Sequence, residues 1–448
     1  MKFNCKLITL FISLFVCLLS SCTKDDVIED DNLLKVLLAN QWVGSEDEFN
    51  EYESGNVEYR EERYRFLFFE DGWGYSVWFD KSIDLDGTNR NEEAFSFTYS
   101  ISGNTVSVRT ELSRNYSDFR YVDGCLIDEN SDMLLKPSSM TEGQKMVDME
   151  KWFPTKGFCG DNVIWKYDRS TKTMTISGNS HVQSYEFEPR PWENYEIETL
   201  IYEEGVTATG PYDFYKKQIP NIILSSTIRQ ISKFSFYSNC ALESIDIPES
   251  CYGIYEEAFH GCHKLSKLTF NGKSSMKDSK LGHLGYRSLF DIDVEFGTLE
   301  LPETMRYIED DVFFSSGIKY LTLNEGLVSL GRYTFSNNAI ENDIIIPESM
   351  KEVSGGFEGS FDKIIIKGNF IDLGLYTFKT SSTTGDFYIY KHHIGNDLPS
   401  SFLYGIDSNG EFCDIIQNWT LHVPVGSKEY YEKNWYFKKF RKIVEENY

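Results

Sequence analysis

The chain has 448 residues, a net charge of −26 at pH 7, and a composition that is 41% hydrophobic and 15% aromatic. These fractions are too high for a disordered acidic chain, and at roughly 100–200 residues per domain the length allows several domains with their own cores. The negative charge repels phosphate backbones and therefore argues against a nucleic-acid partner.

The first segment has the pattern of an export signal. A short basic stretch precedes an apolar run at residues 7–19, which ends in Leu19-Ser20-Ser21-Cys22. This run is shorter than the ~20 residues of a membrane-spanning helix. Its end resembles the lipobox of bacterial lipoproteins. The resemblance implies that residues 1–21 are a signal peptide and that acyl chains on Cys22 anchor the protein in a membrane. An ordinary signal peptide that carries a Cys is the alternative.

Residues 22–32 predict an acidic tether. Thr23-Lys24-Asp25-Asp26 follows the anchor, and more acidic residues follow at 29–31. The pattern is similar to the export signal that carries some lipoproteins to the outer face of the outer membrane. It implies a lipid-anchored protein in the outer membrane that faces the cell exterior. A periplasm-facing anchor with a merely solvated tether is the alternative.

Residues 33–135 read as a β domain. Apolar and polar residues alternate at 64–69 and again at 95–101, and turn residues follow both runs. Such spacing predicts a small antiparallel barrel or sandwich. The early Trp42 and the strand order are similar to lipocalin-like domains at the start of bacterial surface lipoproteins. Residues 136–155, rich in Pro, Ser and Gly, predict a linker.

One segment of this domain nearly fits a calcium-binding loop. It runs Ser82-x-Asp84-x-Asp86-Gly87-x5-Glu93, with oxygen ligands at alternate positions and a glycine at the turn. Ser replaces the first Asp of the motif, and both flanks read as strands. A polar hairpin is the favoured interpretation, and a weak calcium site is the alternative.

The second half of the chain repeats with a period of 20–23 residues. One unit places apolar residues at 231, 236, 242, 245 and 247, and the next places them at 254, 259, 265, 268 and 270 with identical steps. A coil of this length cannot bury its apolar face alone, so stacked copies form one continuous core. The pattern degrades at 271–300, where Leu284 and Leu289 form an imperfect unit, and again at 379–418.

The repeat resembles the BspA-type leucine-rich repeat of bacterial surface proteins. The best copy is Ile254-Tyr-Glu-Glu-Ala-Phe-His-Gly-Cys262-His-Lys-Leu265-Ser-Lys-Leu268-Thr-Phe270. Residues 157–165 with Pro191-Trp192 are similar to the segment that begins such arrays, and residues 423–427 with Trp435 are similar to the segment that ends them. The resemblance implies caps at 156–205 and 421–448 around repeats at 206–420. The expected fold class is mainly β, a small N-terminal barrel or sandwich followed by a leucine-rich-repeat solenoid with short strands.

Six cysteines remain after the signal peptide and the anchor are set aside. Cys240 and Cys262 occupy about the same slot in adjacent units, Cys251 lies half a unit away, and His260 and His263 are nearby. Residues half a unit apart lie on opposite sides of a coil, so buried thiols are favoured over a metal site. An even number of cysteines in an exported chain permits disulfides, whose pairing stays open. We predict no metal ligand and no cofactor.

The sequence contains no serine elbow, phosphate loop or paired-histidine metal helix, so we predict no catalytic residue and no enzyme. An enzyme with its site in 271–300 or 379–418 is the least favoured hypothesis, since solenoids present broad surfaces. Tyrosines that the repeat does not explain suit the recognition of a protein or glycan, or are half-buried edge residues. They are Tyr252, Tyr255, Tyr286, Tyr320 and Tyr333.

These features predict a surface-anchored, non-catalytic binding protein. The resemblance to BspA-type adhesins implies that the solenoid recognises an extracellular protein, either a host matrix protein or a surface protein of another bacterium. A glycan-binding surface lipoprotein is the alternative.

Overall fold

The computed structural model of the protein describes residues 30–51, 57–70, 72–84, 87–110, 116–128, 130–131, 133–368, 372–374, 377–391, 402–406 and 412–448. The chain divides into two units, residues 1–153 and 154–448. The predicted signal peptide, Cys22 and most of the tether lie outside the described residues, so the lipid anchor stays a prediction. Within the described ranges, no helix is long and apolar enough to cross a membrane.

The first unit is a closed barrel of eight strands in sequence order. Its elements are α1 (Asp30–Ala39), β1 (Asn40–Glu51), β2 (Val57–Phe68), β3 (Trp73–Asp84), β4 (Gly87–Ser102), β5 (Thr105–Thr110), β6 (Tyr116–Val122), β7 (Cys125–Asp128), β8 (Leu134–Ser139) and α2 (Glu142–Trp152). All pairs are antiparallel, and β1 pairs with both β2 and β8, which closes the barrel. The alternating runs at 64–69 and 95–101 fall largely in β2 and β4, so the β-domain prediction is confirmed.

Side chains fill the interior of the barrel. Trp42, Phe66, Phe68, Phe97, Val106, Val108, Phe119, Leu126 and Leu135 form one buried cluster, together with Leu33 and Leu37 from α1. The rings of Phe66 and Phe119 lie 5.4 Å apart, and those of Phe68 and Phe97 lie 5.3 Å apart. Within the described ranges, inward-facing residues of seven strands, all except β3, thus contribute to a packed core. The likeness to lipocalin-like domains stays a prediction.

The linker prediction for residues 136–155 is wrong, because this stretch contains the end of β8 and all of α2. Thr141 begins the helix with a capping box, in which Thr141 Oγ1 accepts from Gln144 N at 3.2 Å and Gln144 Oε1 accepts from Thr141 N at 2.9 Å. Asp148 then accepts hydrogen bonds from Tyr75 Oη at 2.6 Å and Arg65 Nη2 at 2.9 Å. The polar residues Thr141 and Gln144 therefore mark a helix cap, and Asp148 joins the helix to the barrel strands.

The second unit begins with a five-stranded sheet in the order β13-β12-β11-β10-β9. Its strands are β9 (Lys156–Gly160), β10 (Val163–Asp168), β11 (Thr173–Gly178), β12 (Thr199–Tyr202) and β13 (Asn221–Ile223). The first three strands are antiparallel, and the pairing becomes parallel from β11 onward. Within this sheet, the antiparallel strands of the predicted N-terminal cap are thus followed by the parallel strands of the coils.

Strands continue through the repeats. They are β14 (Gln230–Ile231), β15 (Ser244–Ile247), β16 (Gly253–Ile254), β17 (Lys267–Phe270), β18 (His283–Leu284), β19 (Gly297–Glu300), β20 (Tyr307–Ile308), β21 (Ile318–Thr322), β22 (Ser329–Leu330), β23 (Ile344–Ile346), β24 (Glu352–Val353), β25 (Phe357–Gly359), β26 (Lys363–Ile366), β27 (Asp372–Leu373), β28 (Phe378–Thr380), β29 (Asp386–Ile389), β30 (Leu403–Ile406), β31 (Phe412–Asp414), β32 (Thr420–Pro424) and β33 (Lys442–Glu446). These strands pair in parallel, except that β31 pairs antiparallel with β30. The remaining helices are α3 (Lys428–Lys433) and the 3-10 turns η1 (Met276–Asp278), η2 (Ile416–Asn418) and η3 (Phe437–Lys439).

These strands form sheets on different sides of the coils. Seven two-residue strands, β14, β16, β18, β20, β22, β24 and β27, form one parallel sheet, which we call the short-strand sheet. Longer strands form parallel sheets elsewhere on each coil, the largest in the order β23-β26-β29-β32-β33. Leu284 lies in β18, in register between Ile254 and Ile308. The imperfect unit is therefore a full coil, and the solenoid prediction is confirmed.

The repeated phenylalanines form a ladder through the core. The ring centroids of Phe236 and Phe259 lie 5.5 Å apart. Phe335 lies 5.8 Å from Phe313 and 5.3 Å from Phe357. All of these side chains are fully buried. Apolar burial along this ladder is the main source of stability, because no single coil encloses a core.

Besides the short-strand sheet and the sheets of longer strands, backbone hydrogen bonds near left-handed residues also join the coils, and the sequence did not predict them. The third residue after the first core position of each unit has φ between 48° and 62°, a left-handed conformation; these residues are Tyr212, Phe234, Glu257, Arg287, Asp311 and Tyr333. Phe234, Phe236 and Ser238 donate their N–H groups to carbonyls of the next unit at 2.9, 3.0 and 2.7 Å. Because these donors all point toward the C-terminal end, the peptide dipoles of the ladder add along the solenoid, as they do in a helix.

At the N-terminal end of this ladder of backbone hydrogen bonds, the carbonyl groups accept hydrogen bonds from side chains of the preceding segment. The carbonyl of Asp213 accepts from Trp192 Nε1 at 2.8 Å, and that of Tyr215 accepts from Arg190 Nη1 at 2.6 Å. A cation therefore caps the carbonyl end, which is the favourable arrangement for aligned dipoles. Within the ladder, Asn337 N donates to the Glu358 carboxylate at 2.9 Å.

Candidate binding face

The outward side of the short-strand sheet is the candidate site, which we call the short-strand face. In each two-residue strand the second residue points into the core, so the residues before and after it point outward. In β14, β16, β18, β20 and β22 the preceding residues are Gln230, Gly253, His283, Tyr307 and Ser329, and the following ones are Ser232, Tyr255, Gly285, Glu309 and Gly331. The repeat therefore places one pair of these positions on every coil.

A groove runs along this face. It consists of two adjoining hollows of about 580 and 370 Å³, which share His283 and Glu309 as lining residues. A Cβ on Gly285 would lie 2.6 Å from Glu256 N, and one on Gly331 would lie 2.3 Å from Asp310 N. Glycine is therefore required at both positions, where the backbone of one coil approaches the next.

Aromatic rings and one carboxylate organise the centre of the groove. The imidazole of His283 stacks on the ring of Tyr255 with centroids 5.1 Å apart, and its Nε2 lies 3.2 Å from Glu309 Oε1. Glu309 Oε2 also accepts from the Tyr286 amide at 2.8 Å. Partial burial, with smaller contributions from Tyr252 and Cys251, raises the pKa of Tyr255, which therefore stays a neutral phenol at physiological pH. Glu309 thus fixes side chains from two coils.

The basic side chains of the groove are paired within the protein. Arg332 Nη2 lies 2.9 Å from Asp310 Oδ2, and Lys233 Nζ lies 2.8 Å from Glu186 Oε2. The hydrogen bond to Glu186 raises the pKa of Lys233. The groove therefore has mixed charge, in contrast to the acidic chain as a whole.

The predicted tyrosines divide between several surfaces. Tyr252, 43% exposed, lies on the short-strand face, where it contacts Gln230 and is close to Tyr255. Tyr320 lies on β21, in a different sheet, and Tyr333 lies in a left-handed turn. Sequence reasoning missed Tyr307, which is 48% exposed and lines the groove. The signal was its position directly before Ile308, the first core residue of its unit.

All six described cysteines are free thiols, namely Cys125, Cys159, Cys240, Cys251, Cys262 and Cys413. Cys251 and Cys262 are buried and donate to the carbonyls of Gly253 at 3.4 Å and Phe236 at 3.2 Å. Burial raises the pKa of each thiol to about 12, so neither supplies a thiolate ligand near neutral pH. The buried-thiol interpretation is confirmed for these two residues.

The histidines near these thiols have carboxylate neighbours. His260 Nδ1 lies 3.4 Å from Glu257, and burial lowers the pKa of His260. His263 Nδ1 lies 3.5 Å from Asp291. No group of three or more His, Cys, Asp or Glu side chains in the described ranges is arranged to hold a metal ion.

The segment that nearly fits a calcium loop forms a hairpin. Ser82 on β3 pairs with Asn89 on β4, and Asp84 pairs with Gly87. The backbone pairing supports the hairpin interpretation. Residues 85–86, including Asp86, lie outside the described residues.

The two irregular segments have different places in the solenoid. Residues 271–300 contain η1, β18 and β19, and His283 from this segment lines the groove. Residues 379–418 contribute β29, β30, β31 and η2. Within them, residues 392–401 and 407–411 lie outside the part of the chain that the structure describes.

Residues 181–281 and 286–397 match the BspA type leucine-rich repeat region in six copies. Together with the stacked parallel strands, this match defines the second unit as a solenoid of BspA-like leucine-rich repeats. A search of curated proteins finds no match to the chain.

The solenoid is similar to solved structures of other leucine-rich repeat proteins. The pneumococcal vaccine antigen PcpA matches with 14% identity, 65% of this chain, 98% of that chain and a TM-score of 0.27. A leucine-rich cell surface protein from Faecalibacterium prausnitzii matches with 12% identity, 65% and 95% coverage and a TM-score of 0.26. A leucine-rich repeat protein from Bacteroides ovatus matches with 14% identity, 64% and 90% coverage and a TM-score of 0.22.

Proposed function

We propose that the protein is a surface-anchored, non-catalytic binding protein whose short-strand face recognises an extracellular protein. The observation that carries this proposal is the composition of the face. Tyrosine, serine and glycine recur on it across five consecutive coils, beside polar and charged residues such as Gln230, His283 and Glu309; the recurring members are Ser232, Gly253, Tyr255, Gly285, Tyr286, Tyr307, Ser329 and Gly331, with Tyr252 next to them. Antibody paratopes use the same types, since tyrosine offers a large contact area at low entropic cost and serine and glycine adapt to the partner.

The layout of these residues also favours an extended partner. Neighbouring parallel strands lie about 4.8 Å apart, so five coils present a row of side chains rather than a convergent pocket. Tyr307 is half-exposed, while the nearby charged groups already have partners in the protein. A partner can therefore bury tyrosine surface without leaving an unpaired charge, which is the arrangement that strengthens interfaces.

The location that we propose rests on the N-terminal sequence. The lipobox-like Leu19-Ser20-Ser21-Cys22 supports lipid anchoring, and the acidic tether supports export to the outward face of the outer membrane. Such a position gives access to host matrix proteins or to the surface proteins of another bacterium. Tyrosine rows also suit sugars, so a glycan ligand is the competing outcome.

The proposal is tested with soluble protein that begins at residue 23, immobilised and probed with extracellular matrix proteins, bacterial surface proteins and a glycan array. We expect saturable binding to at least one protein, with binding that persists after the ligand is enzymatically deglycosylated. Binding to glycans alone, or loss of all binding after deglycosylation, would contradict recognition of a protein.

A further inference from the structure

The imidazole of His422 lies between two carboxylates on the last strands of the solenoid. His422 belongs to β32, and its register partners are Tyr388 on β29 and Val444 on β33. Its Nδ1 lies 2.6 Å from Glu446 Oε1, and its Nε2 lies 2.9 Å from Asp386 Oδ1. The side chain is only 11% exposed. One histidine therefore bridges three strands.

The number of N–H groups on the His422 ring decides whether both of its contacts are hydrogen bonds. An ionised carboxylate only accepts hydrogen bonds, whereas a neutral imidazole has a single N–H and an imidazolium has two. Both contacts are hydrogen bonds to ionised carboxylates only when both ring nitrogens carry hydrogen. Loss of one proton leaves a nitrogen lone pair facing an anionic oxygen, and that contact becomes repulsive.

The other groups around the ring are compatible with this charge. The ring of Tyr388 stacks on His422 with centroids 4.2 Å apart and an interplanar angle of 13°. Burial, together with Asp386 and Glu446, raises the pKa of Tyr388, so it remains a neutral ring. Lys363 on β26 lies 5.2 Å from the Tyr388 ring, and Tyr448 lies beside the same ring. Glu445 faces another way, because it accepts from Gly426 N and Lys428 N.

The bridge holds the strand that closes the solenoid. β33 is the terminal strand of its sheet and pairs with β32 alone in that sheet. Its Ile443 is 7% exposed and packs inward next to Leu421. The C-terminal end of β33 is also held by the hydrogen bond from Val425 N to the Glu446 carbonyl and by the stacking of Tyr448 on Tyr390. The contact between Glu446 and His422 is the one attachment among these that depends on the hydrogens of the imidazole.

We propose that His422 makes this C-terminal strand pH-sensitive. In mildly acidic solution the imidazolium ties Asp386 and Glu446 together and locks β33 onto the sheet. As the pH rises and the ring loses a proton, one contact becomes repulsive, and β33 opens more often. The last coil then exposes its core edge.

Hydrogen exchange of the β33 amides tests this inference in the folded protein at pH 5.5 and pH 8.5, after correction for intrinsic exchange rates. We expect wild-type protection of the β33 amides to fall by about severalfold across this interval, because local opening of the strand becomes more frequent. His422→Gln should show, at both pH values, the protection that wild type shows at pH 8.5. His283→Gln is the matched control, because His283 contacts one carboxylate on another sheet, and it should behave like wild type.

The proposal would be overturned if wild-type β33 amides were equally protected at both pH values. It would also be overturned if the ratio of protection at pH 5.5 to protection at pH 8.5 were the same in His422→Gln as in wild type. Glu446→Gln gives an independent answer if His422→Gln folds poorly. Its amide accepts a hydrogen bond from the charged ring and donates one to the neutral ring, so the pH ratio should approach one while β33 stays protected. Retention of the wild-type ratio in Glu446→Gln would also contradict the inference.

Discussion

Buried polar side chains show how single residues shape this solenoid. Asp213 is fully buried in a slot where the next units have Ser235 and Ala258. Its carboxylate accepts from Gly210 N, Phe214 N and Tyr202 Oη at 2.8–2.9 Å. Desolvation outweighs these hydrogen bonds and raises the pKa of Asp213 to about 7.

The raised pKa predicts that Asp213 destabilises the protein at higher pH. Because the folded pKa lies above the unfolded one, its contribution to stability is complete below about pH 4 and is lost as the pH rises toward 7. The loss should be on the order of 2–4 kcal/mol. Asp213→Asn should remove this part of the pH dependence, as measured by urea unfolding at pH 5 and pH 8. The exposed Asp161→Asn is the control, and an identical pH slope in wild type and Asp213→Asn would refute the assignment.

At the scale of elements, sequence spacing predicted the core positions, which depend on burial. It did not predict the left-handed ladder, which depends on backbone conformation. The core positions of β14, β16, β20 and β22 follow directly from the repeat pattern, since equivalent apolar residues must stack, whereas β18 lies in the segment where the pattern degrades. The left-handed ladder was not predictable, because bulky residues such as Tyr212 and Phe234 occupy positions where glycine would have been the signal. The helix α2 was missed because its capping residues resemble those of a loop.

The cap on the carbonyl end of this ladder can be tested by mutation. Arg190 is 12% exposed and donates to the carbonyl of Tyr215, so Arg190→Ala leaves a partly buried acceptor without this donor at the negative end of the ladder. We expect a loss of about 1–3 kcal/mol in the free energy of unfolding, measured with urea. Lys172→Ala removes an exposed ion pair to Glu196 and should cost less than about 1 kcal/mol. Equal effects of the two variants would contradict a capping role.

At the scale of the whole molecule, the net charge of the chain differs from the charge of the candidate face. The net charge of −26 describes the exterior of both units, whereas the groove on the short-strand face has mixed, internally paired charge. The binding face was only partly predictable, because the repeat identified outward positions without showing which sheet carries a groove. Tyr320 and Tyr307 are equally exposed, at 48%, but only Tyr307 lines that groove.

That pair of tyrosines gives the most direct test of the central claim. Once a protein ligand is found, its affinity should be measured for wild type, Tyr307→Ala and Tyr320→Ala, with circular dichroism to verify folding. We predict that Tyr307→Ala weakens binding by at least about tenfold, the scale of a modest interface hot spot, and that Tyr320→Ala leaves it unchanged. Weakening by Tyr320→Ala alone, or by neither variant, would contradict recognition through the short-strand face.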